Sequence, residues 1–395
     1  MKALFNKSEL LEAVAPAAAI AAIRHVESNI EGILIECPNP EAEGSCRVTA
    51  YDMEKGMRTA VPCEIIEKGK ILINAQNLLL ILRSLTTEEI EIRSDDKETK
   101  ATIISGKSKF TIGIQNGERF PSLPLLSGDK NYDVPQHLLR DVVMRTIYAV
   151  NENEQRPAFT GLLFHMEGST MRCVGCDGNR IAIAHAELPA EGDTANVIVP
   201  KKLLLEVMKM VKDSEDTIHV AMTMKHIIFT IGKFFYFTRL VDGEYLDYAR
   251  ILPKETATSV LCGVTDLRTA LERATLVTED KFGGNTKPFV KLDFKNDGLH
   301  ISSVSAGGSI EEDVPIRKQG PDLEIGFNCR YLIEALRNVP DSADALKLGL
   351  NTAVQGVTIE RASGSGTKSY ITLEAVEDGE EDVFLDYVMP VRMNR

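Results

Sequence analysis

Apolar positions along the chain fall into a pattern that occurs three times. The segments ILINAQNLLLILRSLTTEEIEIRS from Ile71, VIVPKKLLLEVMKMVKDSEDTIHVA from Val197 and IGFNCRYLIEALRNVPDSADALKLG from Ile325 share one plan. Each reads as an apolar strand, a helix start, an amphipathic helix, a polar turn and a second strand. The helix starts fall at Asn74, Pro200 and Asn328, where a side-chain cap or a proline suits the first turn. Core positions follow at Leu78, Leu82 and Leu85, at Leu204, Met208 and Val211, and at Leu332, Leu336 and Val339. Steps of four and three residues hold each set on one helical face.

A second helix repeats in step with the first. Leu11, Val14, Ala15 and Ala18 correspond to Leu139, Val142, Val143 and Thr146, and to Leu267, Ala270, Leu271 and Ala274, each at an offset of 128 residues. In the first copy GILIE, CRVTAYD, GMRTAVPCEI, EIEIRS, KATIIS and KFTIGI alternate or run apolar between turn residues, as strands do. The prediction is an α+β fold of three tandem sheet-and-two-helix domains, at residues 1–128, 129–253 and 254–395. The boundaries lie in polar, proline-marked stretches, SGDKNYDVP and ILPKETAT. Each copy leaves strand edges that must be covered or used.

Composition narrows the class. With 395 residues, 44% hydrophobic and 26% charged, the chain is globular and long enough for two or three domains. No apolar run approaches the roughly 20 residues that span a bilayer, and the start, MKALFNKSELLEAVA, has no signal-peptide core. Seven cysteines, an odd number thinly spread, suit reduced thiols. Together these predict a cytoplasmic protein with no membrane partner. The formal net charge of −13 argues against coating nucleic acid by bulk charge. The six helices run the other way, with Lys and Arg exceeding Asp and Glu by 6. That surplus admits two readings: ordinary helix surfaces, which favour Lys and Arg, or a shared cationic face making sequence-independent phosphate contacts.

Candidate catalytic chemistry is thin. Cys173 and Cys176 form one CxxC without the second pair that a structural zinc site wants. Gly364-Ser-Gly-Thr-Lys-Ser369 lacks phosphate-loop spacing and reads as a hairpin turn. The histidines form no metal-binding array, and Glu374–Asp382 has no alternating ligand spacing. No catalytic residue, metal site or cofactor is predicted. An α+β enzyme with a dispersed site and a repeat scaffold that binds only proteins stay open as alternatives; the repeat counts against the first and the cationic helices against the second.

Five segments in order, on the threefold repeat, carry a resemblance. They are Phe120-Pro-Ser-Leu-Pro124, Asp177-Gly-Asn-Arg-Ile181, Arg239-Leu-Val-Asp-Gly-Glu-Tyr245, Phe327-Asn-Cys-Arg-Tyr-Leu332 and Tyr387-Val-Met-Pro-Val-Arg392. The whole chain resembles the bacterial DNA sliding clamps, the beta subunits of DNA polymerase III. That resemblance implies a non-enzymatic processivity factor: a head-to-tail homodimer closed into a six-domain ring around double-stranded DNA. It implies that Arg24, Arg83, Arg140, Arg145, Lys201, Lys202, Lys209, Arg330 and Arg337 face the DNA. The implied seam pairs Lys107, Lys109, Phe110 and Ile112 with Leu276 and Val277, near Glu311 and Glu312; an ordinary edge strand would look the same. A weakly cationic hole inside an acidic exterior would reconcile the charge balance with DNA binding.

The family also implies an apolar pocket between the second and third domains that takes short linear peptides from the replicative polymerase, the clamp loader and repair proteins. Carried over, it comprises Phe159, Cys176, Gly178, Asn179, Arg180, Ile181, Leu246, Arg250, Ile251, Val354, Gly356, Tyr387, Met389, Pro390 and Arg392. The apolar members would accept leucine and phenylalanine, with Arg180, Arg250 and Arg392 at the rim; a self-packed interdomain core is the other reading. Asn179, Leu246 and Cys176 stand where the family usually has His, Pro and Thr, which bears on the peptide preference.

Overall fold

A computed structural model describes residues 1–21, 31–39, 44–95, 97–124, 128–151, 156–250, 252, 256–278, 289–305, 308–339, 343, 345–351, 370–376 and 384–389. The chain begins with β1 (Lys2–Asn6), α1 (Lys7–Ile20), β2 (Ile33–Cys37), β3 (Ser45–Tyr51), β4 (Lys55–Glu67) and β5 (Gly69–Ile73). Next come α2 (Ala75–Ser84), β6 (Glu89–Ser94), β7 (Lys100–Ser105), β8 (Ser108–Asn116), β9 (Lys130–Pro135) and α3 (Gln136–Met144). The long hairpin β10 (Gly161–Cys176) and β11 (Arg180–Pro200) leads to α4 (Lys201–Met208), β12 (Thr217–Met222), β13 (His226–Ile231) and β14 (Phe234–Arg239). The last part holds β15 (Thr258–Gly263), α5 (Val264–Thr278), β16 (Phe289–Lys295), β17 (Gly298–Ser305), β18 (Gly308–Val314) and β19 (Ile316–Gln319). It ends with β20 (Leu323–Asn328), α6 (Cys329–Leu336), β21 (Ala345–Asn351), β22 (Tyr370–Val376) and β23 (Phe384–Val388). All six strand segments singled out in the first copy form strands.

These elements make two compact units, Met1–Arg140 with Val199–Leu240, and Asp141–Ile198 with Val241–Arg395. The first unit contains one 12-stranded sheet in the order β1-β6-β7-β8-β5-β2-β3-β4-β14-β13-β12-β9. Its continuity rests on β4, whose Lys55–Thr59 segment pairs with β14 from the second repeat. The second unit has a seven-stranded sheet, β10-β11-β23-β22-β21-β15-β19, and a four-stranded sheet, β18-β17-β16-β20. There β11 of the second repeat pairs with β23 of the third. In each case a strand of one repeat satisfies the open edge of another, as unpaired edges require.

The helix starts follow the caps. Asn74 accepts a hydrogen bond from the Asn77 N–H at 3.0 Å, and Asn328 one from the Arg330 N–H at 3.1 Å. The predicted core positions of α2, α4 and α6, from Leu78 through Val339, are all buried. The first helix departs by one residue: Leu10, Ala13, Val14 and Ala17 are fully buried, whereas Leu11 and Ala15 are half-buried. Leu10 and Leu11 would gain alike from full burial, roughly 2 kcal/mol; the packing of α1 on β3 and β4 turns Leu10 inward. The correspondence with Leu139, Val142, Val143 and Thr146 shifts accordingly by one position.

Candidate functional site

In the second unit, the turn between β10 and β11 is built by three residues. Asp177 Oδ1 accepts from the N–H groups of Asn179 at 2.8 Å and Arg180 at 3.1 Å, an aspartate turn of the common kind. Gly178 has φ +90°, a conformation that costs glycine least. Before the turn, Gly175 lies so close to Thr146 that a Cβ would meet the Thr146 carbonyl oxygen at 2.2 Å. Only glycine fits there.

Beyond this turn lies an apolar cluster. Val174, Cys176, Ile181, Ile183 and Tyr387 are buried in it, and Phe159, Tyr245, Leu246 and Tyr248 pack half-buried against them. Phe159 meets Tyr245 edge to face with ring centroids 5.9 Å apart, and the Tyr245 hydroxyl donates to the Val174 carbonyl at 3.1 Å. Ile181 pairs with Tyr387 across the β11–β23 ladder, and the Met389 N–H donates to the Asn179 carbonyl at 2.9 Å. Five of the expected pocket residues, Phe159, Cys176, Ile181, Leu246 and Tyr387, therefore meet in one apolar cluster. Gly178 and Asn179 are exposed on the turn, Met389 is 39% exposed, and Arg250 projects outward beside Asp247 at 2.9 Å. Ile251, Val354, Gly356, Pro390 and Arg392 lie outside the described residues, as do Gly364–Ser369 and Arg24. Burial pushes the Cys176 thiol up to about 11, so it stays protonated as an apolar wall.

Arg180 departs from expectation. It does not stand at a rim: it is 7% exposed, and its fork of donors is satisfied inside the unit. Nε reaches Asp177 at 3.0 Å, Nη1 reaches Glu334 at 2.5 Å and Nη2 reaches the Tyr148 carbonyl at 3.0 Å. Its guanidinium lies 5.0 Å from the Tyr148 ring and 4.6 Å from that of Tyr331. Arg180 thus fastens β11 to α6. Tyr331 lies in the Phe327–Leu332 segment; Tyr148, Glu334 and Asp386 belong to no motif, and of these only Asp386, beside Tyr387, carried a positional hint.

Asp386 is 1% exposed and accepts a hydrogen bond from the Tyr148 hydroxyl. Burial raises its carboxyl to about 7, against the opposing pull of Tyr148 and the Arg180 charge. An ordinary aspartate titrates near 3.9, so between about pH 4 and 7 the unfolded chain is ionised while the folded one keeps the proton. Stability contributed by this group is full at the acid end and falls by about 1.4 kcal/mol per pH unit across that window. Asp386→Asn keeps an acceptor for Tyr148 and removes the titration. Urea midpoints measured at pH 5 and pH 8 should differ less in the variant than in the parent; an equal difference in both would mean that Asp386 does not titrate in this window.

Three of the expected DNA-facing cations are paired with carboxylates. Arg145 pairs with Asp141 at 2.8 Å, Lys209 with Glu206 at 2.8 Å and Arg337 with Glu272 at 3.3 Å. Arg140 donates to the Val211 carbonyl at 3.3 Å. Arg83 and Lys202 are exposed, Lys201 is half-buried, and Arg330 shares a solvent-open groove between α5 and α6 with Glu272, Glu334 and Arg337. Charges so paired attract phosphate weakly and without a fixed register.

The expected seam residues lie along two strand edges and at the end of α5. Along Ser108–Gly113, β8 pairs with β7, while its pairing to β5 covers only Ile114–Asn116. Phe110 and Ile112 are half-buried on one side of this edge, next to exposed Lys107 and Lys109. In the second unit β18 is the outermost strand of its sheet and carries exposed Glu311. Leu276 is 82% exposed, and Val277 is half-buried. Glu312 is not an open acidic partner: Arg273 of α5 holds it within the chain, with Nε at 3.0 Å.

Comparison with known proteins bears on the whole chain. Residues 1–124, 133–247 and 249–373 match the N-terminal, central and C-terminal domains of the DNA polymerase III beta subunit family. The beta sliding clamp of Pseudomonas aeruginosa is 31% identical over 294 residues, 73% of this chain and 78% of that protein. That of Halalkalibacterium halodurans is 30% identical over 297 residues, 74% of this chain and 76% of that protein. The crystal structure of a sliding clamp from Pseudomonas aeruginosa bound to griselimycin superposes with a TM-score of 0.86 at 25% identity, covering 100% of both chains. The fold is shared with the Bacillus subtilis sliding clamp at a TM-score of 0.88, with 23% identity and 100% of both chains covered. With three tandem family domains in order and relatives of this likeness, the chain belongs to the bacterial beta sliding clamps, the processivity factors of DNA polymerase III.

Proposed function

We propose that two copies of this chain close head to tail into a ring around duplex DNA, and that the ring tethers the polymerase by topology and not by grip. The observation that carries this reading is the pair of available edges. Each chain offers one apolar, basic edge at β8 and one acidic edge at β18. A heterologous contact between them uses both and closes with two copies. Apolar anchors at Phe110, Ile112 and Leu276 would supply affinity, and Lys107 and Lys109 against Glu311 would set the register. The paired cations of the helices suit DNA that slides. In this reading the chain is a tether without catalytic residues, acting in the cytoplasm.

The apolar cluster around Phe159, Leu246 and Tyr387 is the peptide site. Its half-buried aromatic and aliphatic walls suit leucine and phenylalanine side chains of short linear segments, and Arg250 stands outside at the rim. The replicative polymerase, the clamp loader and repair proteins would take turns in it.

Topology has a direct test. The protein is loaded onto nicked circular plasmid by a clamp loader, the complex is isolated, and the plasmid is then cut once. Loss of the protein from linear but not circular DNA is the expected result. Equal retention on both forms would mean that it grips the duplex instead of encircling it.

A further inference from the structure

Three thiols from neighbouring strands meet in the first unit. Cys37 ends β2, Cys46 is the second residue of β3, and Cys63 lies in β4. The β2–β3 ladder sets Glu36 opposite Arg47, so its next step brings Cys37 opposite Cys46. On the other side of β3, Cys46 faces Val61, which makes Cys63 its diagonal neighbour on the same face. The Cys63 N–H donates to the Gly44 carbonyl at 3.1 Å and holds the end of that ladder. The sulfurs of Cys46 and Cys63 are 3.0 Å apart, and the Cys46 thiol also contacts Cys37. All three are free; Cys37 and Cys46 are buried, and Cys63 is partly exposed.

Packing alone does not ask for this arrangement. A buried cysteine behaves as a small apolar residue, so alanine, valine or serine would fill the same spaces without placing the Cys46 sulfur against two others. Chelation is not the reading either, because among the described residues no group of three His, Cys, Asp or Glu side chains is arranged to hold a metal ion. The ring and the peptide site use none of the three.

We propose that Cys63 and Cys46 are a redox-active thiol pair, converted by a low-molecular-weight disulfide into an intramolecular disulfide that staples β3 to β4. Cys63 is the entry point because it alone is partly exposed. Its thiolate attacks the small disulfide, one thiolate leaves and takes up a proton, and a mixed disulfide remains on Cys63. Cys46, already in contact, gives up its proton, attacks the Cys63 sulfur and displaces the second small thiol. Two protein thiols and one small disulfide become one protein disulfide and two small thiols, with two electrons passing from the protein. The local electrostatics favour this order: the hydrogen bond with Cys46 lowers the Cys63 thiol, whereas the hydrogen bonds with Cys37 and Cys63, and then burial, raise Cys46. Phe5 of β1 pairs with Cys63, and α1 packs over β3 and β4, so the staple would sit under the first helix.

The test uses the full-length protein and oxidised glutathione. After native incubation, the protein is denatured without reductant, alkylated and weighed. The expected result is five alkylatable cysteines out of the seven, with all seven restored by dithiothreitol. Tryptic mapping should link residues 25–47 to residues 59–68, with fragmentation placing the bond at Cys46. Cys37→Ser should keep the two-thiol loss, and Cys63→Ser should abolish it. Seven reactive thiols after oxidation, a stable glutathione adduct on Cys63 without linkage, a bond between two chains, or an unchanged loss in Cys63→Ser would each overturn the proposal. Because the unmodified protein is the first measurement, a variant that folds poorly does not block the answer.

Discussion

Replacing Phe110 with aspartate is expected to turn a particle of about twice 43.5 kDa into a monomer. Phe110 is half-buried on the free edge of β8, so within one chain the new carboxylate keeps access to water and the fold should survive. In the proposed ring the same position lies inside a seam, against the apolar surface that includes Leu276. Burying an unpaired charge there costs about 3 kcal/mol or more, a factor of roughly 150 in each contact. A head-to-tail dimer has two identical contacts, so the loss is counted twice in closing the ring. Analytical ultracentrifugation at micromolar concentration reads the mass, and circular dichroism confirms the fold. A variant that still sediments as a dimer would remove β8 from the seam.

Leu246→Asp should abolish peptide capture and leave the ring intact. Leu246 is half-buried against the cluster that holds Cys176, Ile181 and Tyr387. An aspartate at its place stays hydrated in the free protein, and a docking leucine or phenylalanine would have to strip that water away. The affinity for a fluorescently labelled polymerase segment should fall at least 100-fold, about 2.7 kcal/mol, with the sedimenting mass unchanged. Binding within about twofold of the parent would move the peptide site elsewhere, and loss of the dimer would make the segment structural.

Helix periodicity was legible where large apolar side chains recur at helical spacing and a cap fixes the start. Leu78, Leu82, Leu332 and Leu336 fall four residues apart after Asn74 and Asn328, and all four are buried. The run AVAPAAAI in α1 offers small apolar residues at nearly every position, so any register looks amphipathic and the correspondence slips by one. Packing against β3 and β4 decides it in favour of Leu10.

Arg180 and Cys46 show what a local reading misses. Arg180 sits in a recognisable segment with Asp177, but its second carboxylate partner, Glu334, lies 154 positions away. Whether an arginine is a rim residue or a buried fastener depends on such a partner. Cys46 and Cys63 likewise read as scattered thiols until the β3–β4 register brings their sulfurs together.

By itself the sequence determined the threefold plan, the strands, the helix caps and the family, because each follows from side chains within one turn or one strand of each other. Only the tertiary structure decided which strand edges are left open, that five dispersed residues meet in one apolar cluster, and which charges are already spent on each other. Those properties belong to pairs brought together from distant parts of the chain, and the cost of leaving a buried charge or an edge unpaired is settled only where the partner arrives.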